Sequence, residues 1–165
     1  MTDKQKYLFN QLLNEIDISY KLIYEYDQIP LMYGGMLFYQ QETHTIQQIG
    51  KNPGITVSEI AENTGKTTSA CSQIIKKLRE RNVVIQKRNM SNCRQYNLEL
   101  TDYGWEIFNE HEALDSACFE NYEQQLQHFS EEQLNTAIMV QQKLNEAFKK
   151  DVKRSLEQRG ITSGK

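Results

Sequence analysis

A mainly α fold carrying one small β hairpin is the architecture this sequence predicts, on three observations. Only 2 prolines and 8 glycines stand among 165 residues, too few for a sandwich of short strands and turns. Apolar residues recur at three- and four-residue spacing over long stretches near both ends, the period of amphipathic helices. Strand-like sequence is confined to two short segments between residues 83 and 100. With 38% hydrophobic and 25% charged residues, the chain can build a core and is not of disordered composition.

The elements follow in order. Leu8, Leu12, Ile16, Tyr20 and Ile23 place one apolar stripe on a helix over 4–26, which Gln28-Ile29-Pro30 breaks. Leu31–Tyr39 is apolar around Gly34-Gly35 and reads as an irregular or short helical connection. A helix over about 40–51 turns Ile46 and Ile49 inward and stops at Asn52-Pro53-Gly54. Thr56-Val57-Ser58-Glu59 is a capping box, Thr56 capping and Glu59 reaching back, and it opens a short helix over 57–63 with Val57, Ile60 and Ala61 inward. Gly65 makes a turn, and Thr67 caps a helix running to about Arg81 with Cys71, Ile74, Ile75 and Leu78 on its buried side. Val83–Arg88 and Arg94–Leu100 form strands joined by the polar turn Asn89–Cys93. Thr101-Asp102-Tyr103-Gly104 caps another helix, on which Ile107, His111, Leu114 and Cys118 share a face. The capping box Ser130–Gln133 starts a last helix, with Leu134, Ala137, Ile138, Gln141, Leu144, Ala147 and Phe148 in register, and a tail from about Arg154 frays.

Two short helices about a glycine turn form a helix-turn-helix, and the basic hairpin directly after them is a wing. Charge supports that reading. The formal net charge is −3, yet residues 51–100 hold nine lysines and arginines against four acids, a local balance of +5 between acidic flanks. On the helix after Gly65, the side chains Thr67, Thr68, Ser69, Ser72, Gln73, Lys76 and Lys77 escape the buried stripe. Hydroxyls at a helix N-terminus suit phosphates and base edges, and Gln73, one turn in, can pair bidentately with adenine. Lys87, Arg88 and Arg94 are the wing's candidates for a minor groove or phosphates. The partner implied is double-stranded DNA, although the same residues could be a solvated helix face and scattered hairpin charges.

These residues resemble the MarR family of bacterial transcription regulators. The resemblance runs over roughly Gln40–Gly104 and rests on Gly54-Ile55-Thr56-Val57-Ser58-Glu59-Ile60-Ala61, on Leu78–Asn82 before Val83-Val84, and on Asn92-Cys93-Arg94 followed by Leu98–Gly104. Asn92 replaces the acid usual in the family's wing, Asn82 stands where a helix-ending glycine is common, and Lys66 stands where an apolar turn residue is usual. Asparagine tolerates the left-handed conformation such an ending needs. The resemblance implies a single domain over 1–165, with a DNA-binding winged lobe at about 40–101 and dimerisation helices at about 4–26 and 102–153. It implies a homodimeric repressor of palindromic operators, relieved by a small-molecule effector. The stripes on Leu8–Ile23 and Leu134–Phe148 fit such a use, because each long helix needs a partner for its seam; they equally suit an intramolecular core.

Other chemistry is suggested by scattered residues. Tyr20, Tyr24, Tyr26, Met32, Tyr33, Met36, Phe38 and Tyr39 lie where the resemblance places an apolar cleft for a small amphipathic ligand, and they also suit a core or dimer interface. Some MarR regulators sense zinc with histidines and acids, and here His111 and Asp115 stand at i, i+4 with His44 elsewhere. His111 in line with Ile107 and Leu114 reads instead as a hydrogen-bonded core histidine, so no metal and no cofactor is assigned. Cys93, between Arg88 and Arg94, would suit an oxidant sensor, but the first helix carries no cysteine, where the resemblance would place one. The sequence lacks G-x-S-x-G, a P-loop and H-E-x-x-H, and it predicts no enzyme. A winged module binding an acidic protein is the alternative from another class. No apolar run reaches membrane-spanning length, and the opening residues lack a signal-peptide core, so a cytoplasmic location is expected.

Overall fold

The computed structural model describes residues 1–89 and 96–159. They divide into two compact units, Met1–Ser116 and Ala117–Lys165. The elements run α1 (Asp3–Asp27), β1 (Leu31–Tyr33), β2 (Met36–Phe38), α2 (Gln40–Lys51), α3 (Val57–Thr64), α4 (Thr68–Glu80), β3 (Val84–Arg88), β4 (Tyr96–Leu100), α5 (Asp102–Leu126) and α6 (Glu131–Gln158). This is the mainly α fold with a small β wing that the sequence predicts.

In the first unit a core of Ile46, Ile49, Ile60, Ile75, Leu78, Val83, Leu98 and Ile107 joins α2, α3, α4, the β3–β4 hairpin and the start of α5. Local chemistry explains each boundary. Thr56 accepts from the Glu59 amide while the Glu59 carboxylate accepts from Thr56 N, closing the expected capping box on α3. Gly65 ends α3 at φ +66, and Asn82 ends α4 at φ +56, where Val83 N donates to Leu78 O at 2.9 Å. Gly54 N donates to Leu98 O and Leu98 N to Ile55 O, both at 2.9 Å, which ties the α2–α3 loop to β4.

Three expectations are corrected. Residues 31–38 are an antiparallel hairpin, not an irregular or helical connection: Tyr33 pairs with Met36, and Gly34-Gly35 turns with φ +52 and +78. Two successive positive φ angles suit a two-residue hairpin loop, so the glycines close a ladder rather than break a helix. Tyr33 and Phe38 from this hairpin belong to the core, which removes them from any exposed cleft. The first strand of the wing begins at Val84, because Val83 is spent ending α4. Finally, the last helix does not fray at Arg154 but continues to Gln158, with Arg154 paired to Asp151 at 2.9 Å and Lys153 to Glu157 at 3.9 Å along it.

No residue of α1 or α6 is buried. Along their apolar stripes Leu8 is 52% and Ile138 54% exposed, while Leu12, Ile16 and Leu144 are half-buried.

The start of α5 lies directly against the end of α4. A Cβ on Gly104 would stand 2.2 Å from the Val83 carbonyl oxygen, a backbone atom that cannot swing aside. Gly104→Ala is expected to destabilise the protein by about 1–3 kcal/mol through overpacking, read as a lower denaturation midpoint with an unchanged slope.

Candidate nucleic-acid interface

The candidate interface is built on α4. Thr67 caps it, its Oγ1 accepting from Ala70 N at 3.2 Å, and Cys71, Ile74, Ile75 and Leu78 anchor one side in the core. That anchoring turns the other side outward, so Thr67, Thr68, Ser69, Ser72, Gln73, Lys76 and Lys77 are all exposed. The first turn of α4 holds no acid, unlike that of α3 with Glu59, so its positive end is left for an anion. Gly65 fixes the turn by conformation alone, since nothing lies within 4 Å of where its Cβ would be.

The wing contributes Lys87 and Arg88 from β3, both exposed. Lys87 is ion-paired across the hairpin with Glu99, so its charge is partly offset locally. Lys76 stands 3.9 Å from Glu80 in a looser i, i+4 pair. Arg94, Asn92 and Cys93 lie outside the described residues. Arg81 was not singled out as a site residue by sequence reasoning, yet it is held by three partners. Its guanidinium donates to Leu37 O at 2.7 Å, stands 3.5 Å from the Glu42 carboxylate and stacks 3.7 Å from the Phe38 ring centre. Residue-by-residue reading missed it because its partners lie far back in the chain, on the hairpin and on α2.

Of the two candidate histidines, His111 lies in the core, as its place in the apolar stripe predicts, whereas His44 is exposed. His111 is 1% exposed, and its Nδ1 stands 3.0 Å from the Tyr33 hydroxyl. Nε2, also buried, has no hydrogen-bond partner among the described residues and stands 3.6 Å from an Asp115 oxygen. The Gln47 amide donates to Glu112 and to Asp115, and Lys51 pairs with Glu112 at 3.0 Å. The His44 ring lies 5.8 Å from that of His111. Among the described residues no three histidine, cysteine or acidic side chains group closely enough to hold a metal ion. Burial is the main cause holding the His111 pKa below its usual 6.5. Asp115 opposes it, His44 and Lys51 reinforce it, and Glu112 opposes it. Of the remaining cysteines, Cys71 is core and Cys118 half-buried. No described helix is long and apolar enough to cross a membrane.

Residues 44–85, from α2 into β3, match the family model for winged helix-turn-helix DNA-binding. No curated protein matches the chain. Among solved structures, Streptococcus pneumoniae FabT in complex with DNA is similar at 23% identity and a TM-score of 0.65, over 91% of this chain and 99% of that one. The zinc-responsive MarR family member ZitR of Lactococcus lactis is similar at 20% identity and a TM-score of 0.72, over 86% of this chain and 99% of that one. The adhesin competence repressor AdcR of Streptococcus pyogenes follows at 17% identity and a TM-score of 0.66, over 85% of this chain and 97% of that one. The fold is therefore that of MarR-type structures, as the resemblance implied. AdcR is named as a repressor, and SlyA, similar at 17% identity and a TM-score of 0.56 over 91% of this chain and 96% of that one, as a transcriptional regulator.

The His111 environment sets a pH dependence. A folded-state pKa below the unfolded one means that the unfolded chain takes up the proton first. Stability is therefore complete above the unfolded pKa near 6.5 and falls as pH drops through the window below it. Unfolding titrations across pH 7.5 to 5 are expected to show this loss in wild type and a flatter profile in His111→Gln, which cannot take up that proton.

Proposed function

We propose that this chain is a MarR-family, sequence-specific DNA-binding transcription regulator. It acts as a cytoplasmic homodimeric repressor of palindromic operators that a small amphipathic effector releases. The observation that carries the reading is the two-sidedness of α4. One side is sealed into the core, and the opposite side offers hydroxyls, an amide and lysines from a capped, acid-free N-terminus beside a basic hairpin. FabT and ZitR, which are similar in fold, have been solved with DNA.

In this reading Thr67, Thr68 and Ser69 meet phosphates at the start of α4, while Ser72 and Gln73 reach base edges. Lys76 and Lys77 meet the flanking backbone, and Lys87, Arg88 and Arg94 track the backbone or minor groove from the wing. One MarR-like domain is assigned to 1–165, with the winged lobe at about 40–101 and dimerisation helices at about 4–26 and 102–153. The homodimer is supported by apolar stripes on α1 and α6, none of whose residues is buried among the described residues. The effector is supported by the exposed Tyr20, Tyr24, Tyr26, Met32, Met36 and Tyr39, amphipathic surface on α1 and around the β1–β2 hairpin.

Binding isotherms at several salt concentrations, on a duplex enriched from a random pool and on a scrambled duplex, test the assignment. Gln73→Ala is expected to cost about 1–3 kcal/mol on the enriched duplex and little on the scrambled one. Lys77→Ala should weaken both and lower the salt slope by about one. Wild-type behaviour of both variants would refute the assignment of the α4 face, and a chain that enriches no duplex would refute DNA binding itself.

The dimer is tested separately. Because Leu8 and Ile138 are more than half exposed in the single chain, Leu8→Glu and Ile138→Glu should leave its fold intact. They should nevertheless halve the sedimentation mass by placing a charge in an apolar seam. An unchanged mass in both would exclude these stripes as the interface.

A further inference from the structure

We propose that Arg81 is a positioning residue for DNA reading: from the C-terminal cap of α4 it clamps that helix to the β1–β2 hairpin and to the start of α2, and so sets the aim of the base-reading N-terminus. The inference rests on the reading of α4 as the DNA-reading helix.

Arg81 differs from its basic neighbours on α4. Lys76, Lys77 and Arg79 are exposed, whereas the Arg81 side chain is only 24% exposed and faces a Glu42 carboxylate that is 10% exposed. Three different contacts converge on its guanidinium. Nη2 donates to Leu37 O at 2.7 Å, Nη1 stands 3.5 Å from Glu42 Oε2, and the plane lies 3.7 Å from the centre of the fully buried Phe38 ring. The same Glu42 oxygen accepts from Tyr39 N at 3.0 Å at the cap of α2. One planar cation therefore joins β2, the first turn of α2 and the last turn of α4. A lysine could keep the ion pair but neither the planar fork nor the stacking.

The hairpin so engaged is itself braced against α5. The Tyr103 hydroxyl donates to Gly34 O at 3.0 Å, Gly34 N donates to Glu110 at 2.9 Å, and Tyr33 bonds His111 at 3.0 Å. Arg81 thus ties α4 to a fixed bracket. The leverage is geometric. A helix of 13 residues is about 20 Å long. A tilt of about 10° at its C-terminal end would displace Thr68 and Ser69 by about 3 Å, far beyond what a base-edge hydrogen bond tolerates. Phosphate attraction, being long-ranged, would survive such a tilt. Losing the clamp should therefore cost discrimination between sequences, not overall attraction to DNA.

The test compares wild type, Arg81→Met, Arg81→Lys and Glu42→Gln as full chains on the enriched and scrambled duplexes at several salt concentrations. Hydrogen exchange of the free proteins is followed in parallel. Arg81→Met is expected to lower the ratio of enriched to scrambled affinity about tenfold while leaving the salt slope unchanged, with Arg81→Lys between it and wild type. Amides of Leu78–Arg81 and of Leu37–Phe38 should both exchange faster, while the α3 amides should not. Glu42→Gln keeps an acceptor for Tyr39 N and should move both readouts in the same direction, which serves if Arg81→Met does not fold. An unchanged ratio, or exchange unchanged in both segments, overturns the proposal. Equal weakening on both duplexes with a slope lowered by about one also overturns it, making Arg81 a phosphate contact. Failure of wild type to enrich any duplex overturns the DNA reading and the aiming role with it, a result distinct from all of these because it appears before any substitution.

Discussion

The close approach of Gly104 to the Val83 carbonyl is the constraint on which the rest of the winged lobe depends. At this junction α4 ends, β3 begins, β4 ends and α5 begins, all within a few ångströms. The Val83 carbonyl accepts from Thr101 N at 3.1 Å, and the Thr101 hydroxyl donates to Asn82 O at 2.7 Å while accepting from Gly104 N at 2.9 Å. Asn82 must hold φ +56 for Val83 to turn back onto Leu78. These short contacts fix the C-terminal end of α4 relative to the wing, and residue 104 has no room for a side chain. The presentation of α4 is thus decided at its far end, by groups that would never touch DNA.

The β1–β2 hairpin serves the same end from the other side. Its inward residues Tyr33 and Phe38 extend the core, and its backbone is held by Tyr103, Glu110 and Arg81. The outward pair Met32 and Leu37 stays exposed across the ladder. Two-stranded hairpins are marginal alone; this one persists because each strand contributes a ring to the core and its glycine turn docks on α5. The His111 network stiffens that docking at the cost of acid sensitivity. A neutral buried imidazole supports Tyr33, whereas burial disfavours the protonated one.

Most of the lobe was legible in the sequence because its signals are local. The Thr56–Glu59 box, the Thr67 cap, the glycine turn at 65 and the stripe Cys71, Ile74, Ile75, Leu78 each act within one or two helical turns, and each stands as read. The 31–38 hairpin escaped because an apolar run with a glycine pair carries no alternation. Its pairing is expressed only through Tyr33 and Phe38 meeting the core. Arg81 escaped for a related reason: in sequence it is one more cation in a basic stretch, and only folding brings Leu37, Phe38 and Glu42 to it. The end of α6 runs past Arg154 to Gln158, along a stretch where Asp151 pairs with Arg154 and Lys153 with Glu157. The exposure of the other α4 side chains was legible because the buried stripe leaves them only one place to go.

The acidic balance of the whole chain and the basic character of its middle are compatible because electrostatics is local in salt. At physiological ionic strength a charge is screened beyond about 8 Å, so a phosphate at the N-terminus of α4 senses the nearby side chains more than the chain's total of −3. The first turn of that helix carries no acid, the exposed Lys66 directly precedes its cap Thr67, and Lys76 and Lys77 lie about two turns along it. Several acids of the region are engaged: Glu59 caps α3, Glu99 pairs with Lys87, and Glu42 receives Arg81. Arg81, turned inward, is thereby matched by a carboxylate that would otherwise repel DNA from within. The charge left facing outward on α4 is positive for a structural reason, since the folding that seals its apolar side also neutralises the acid behind it.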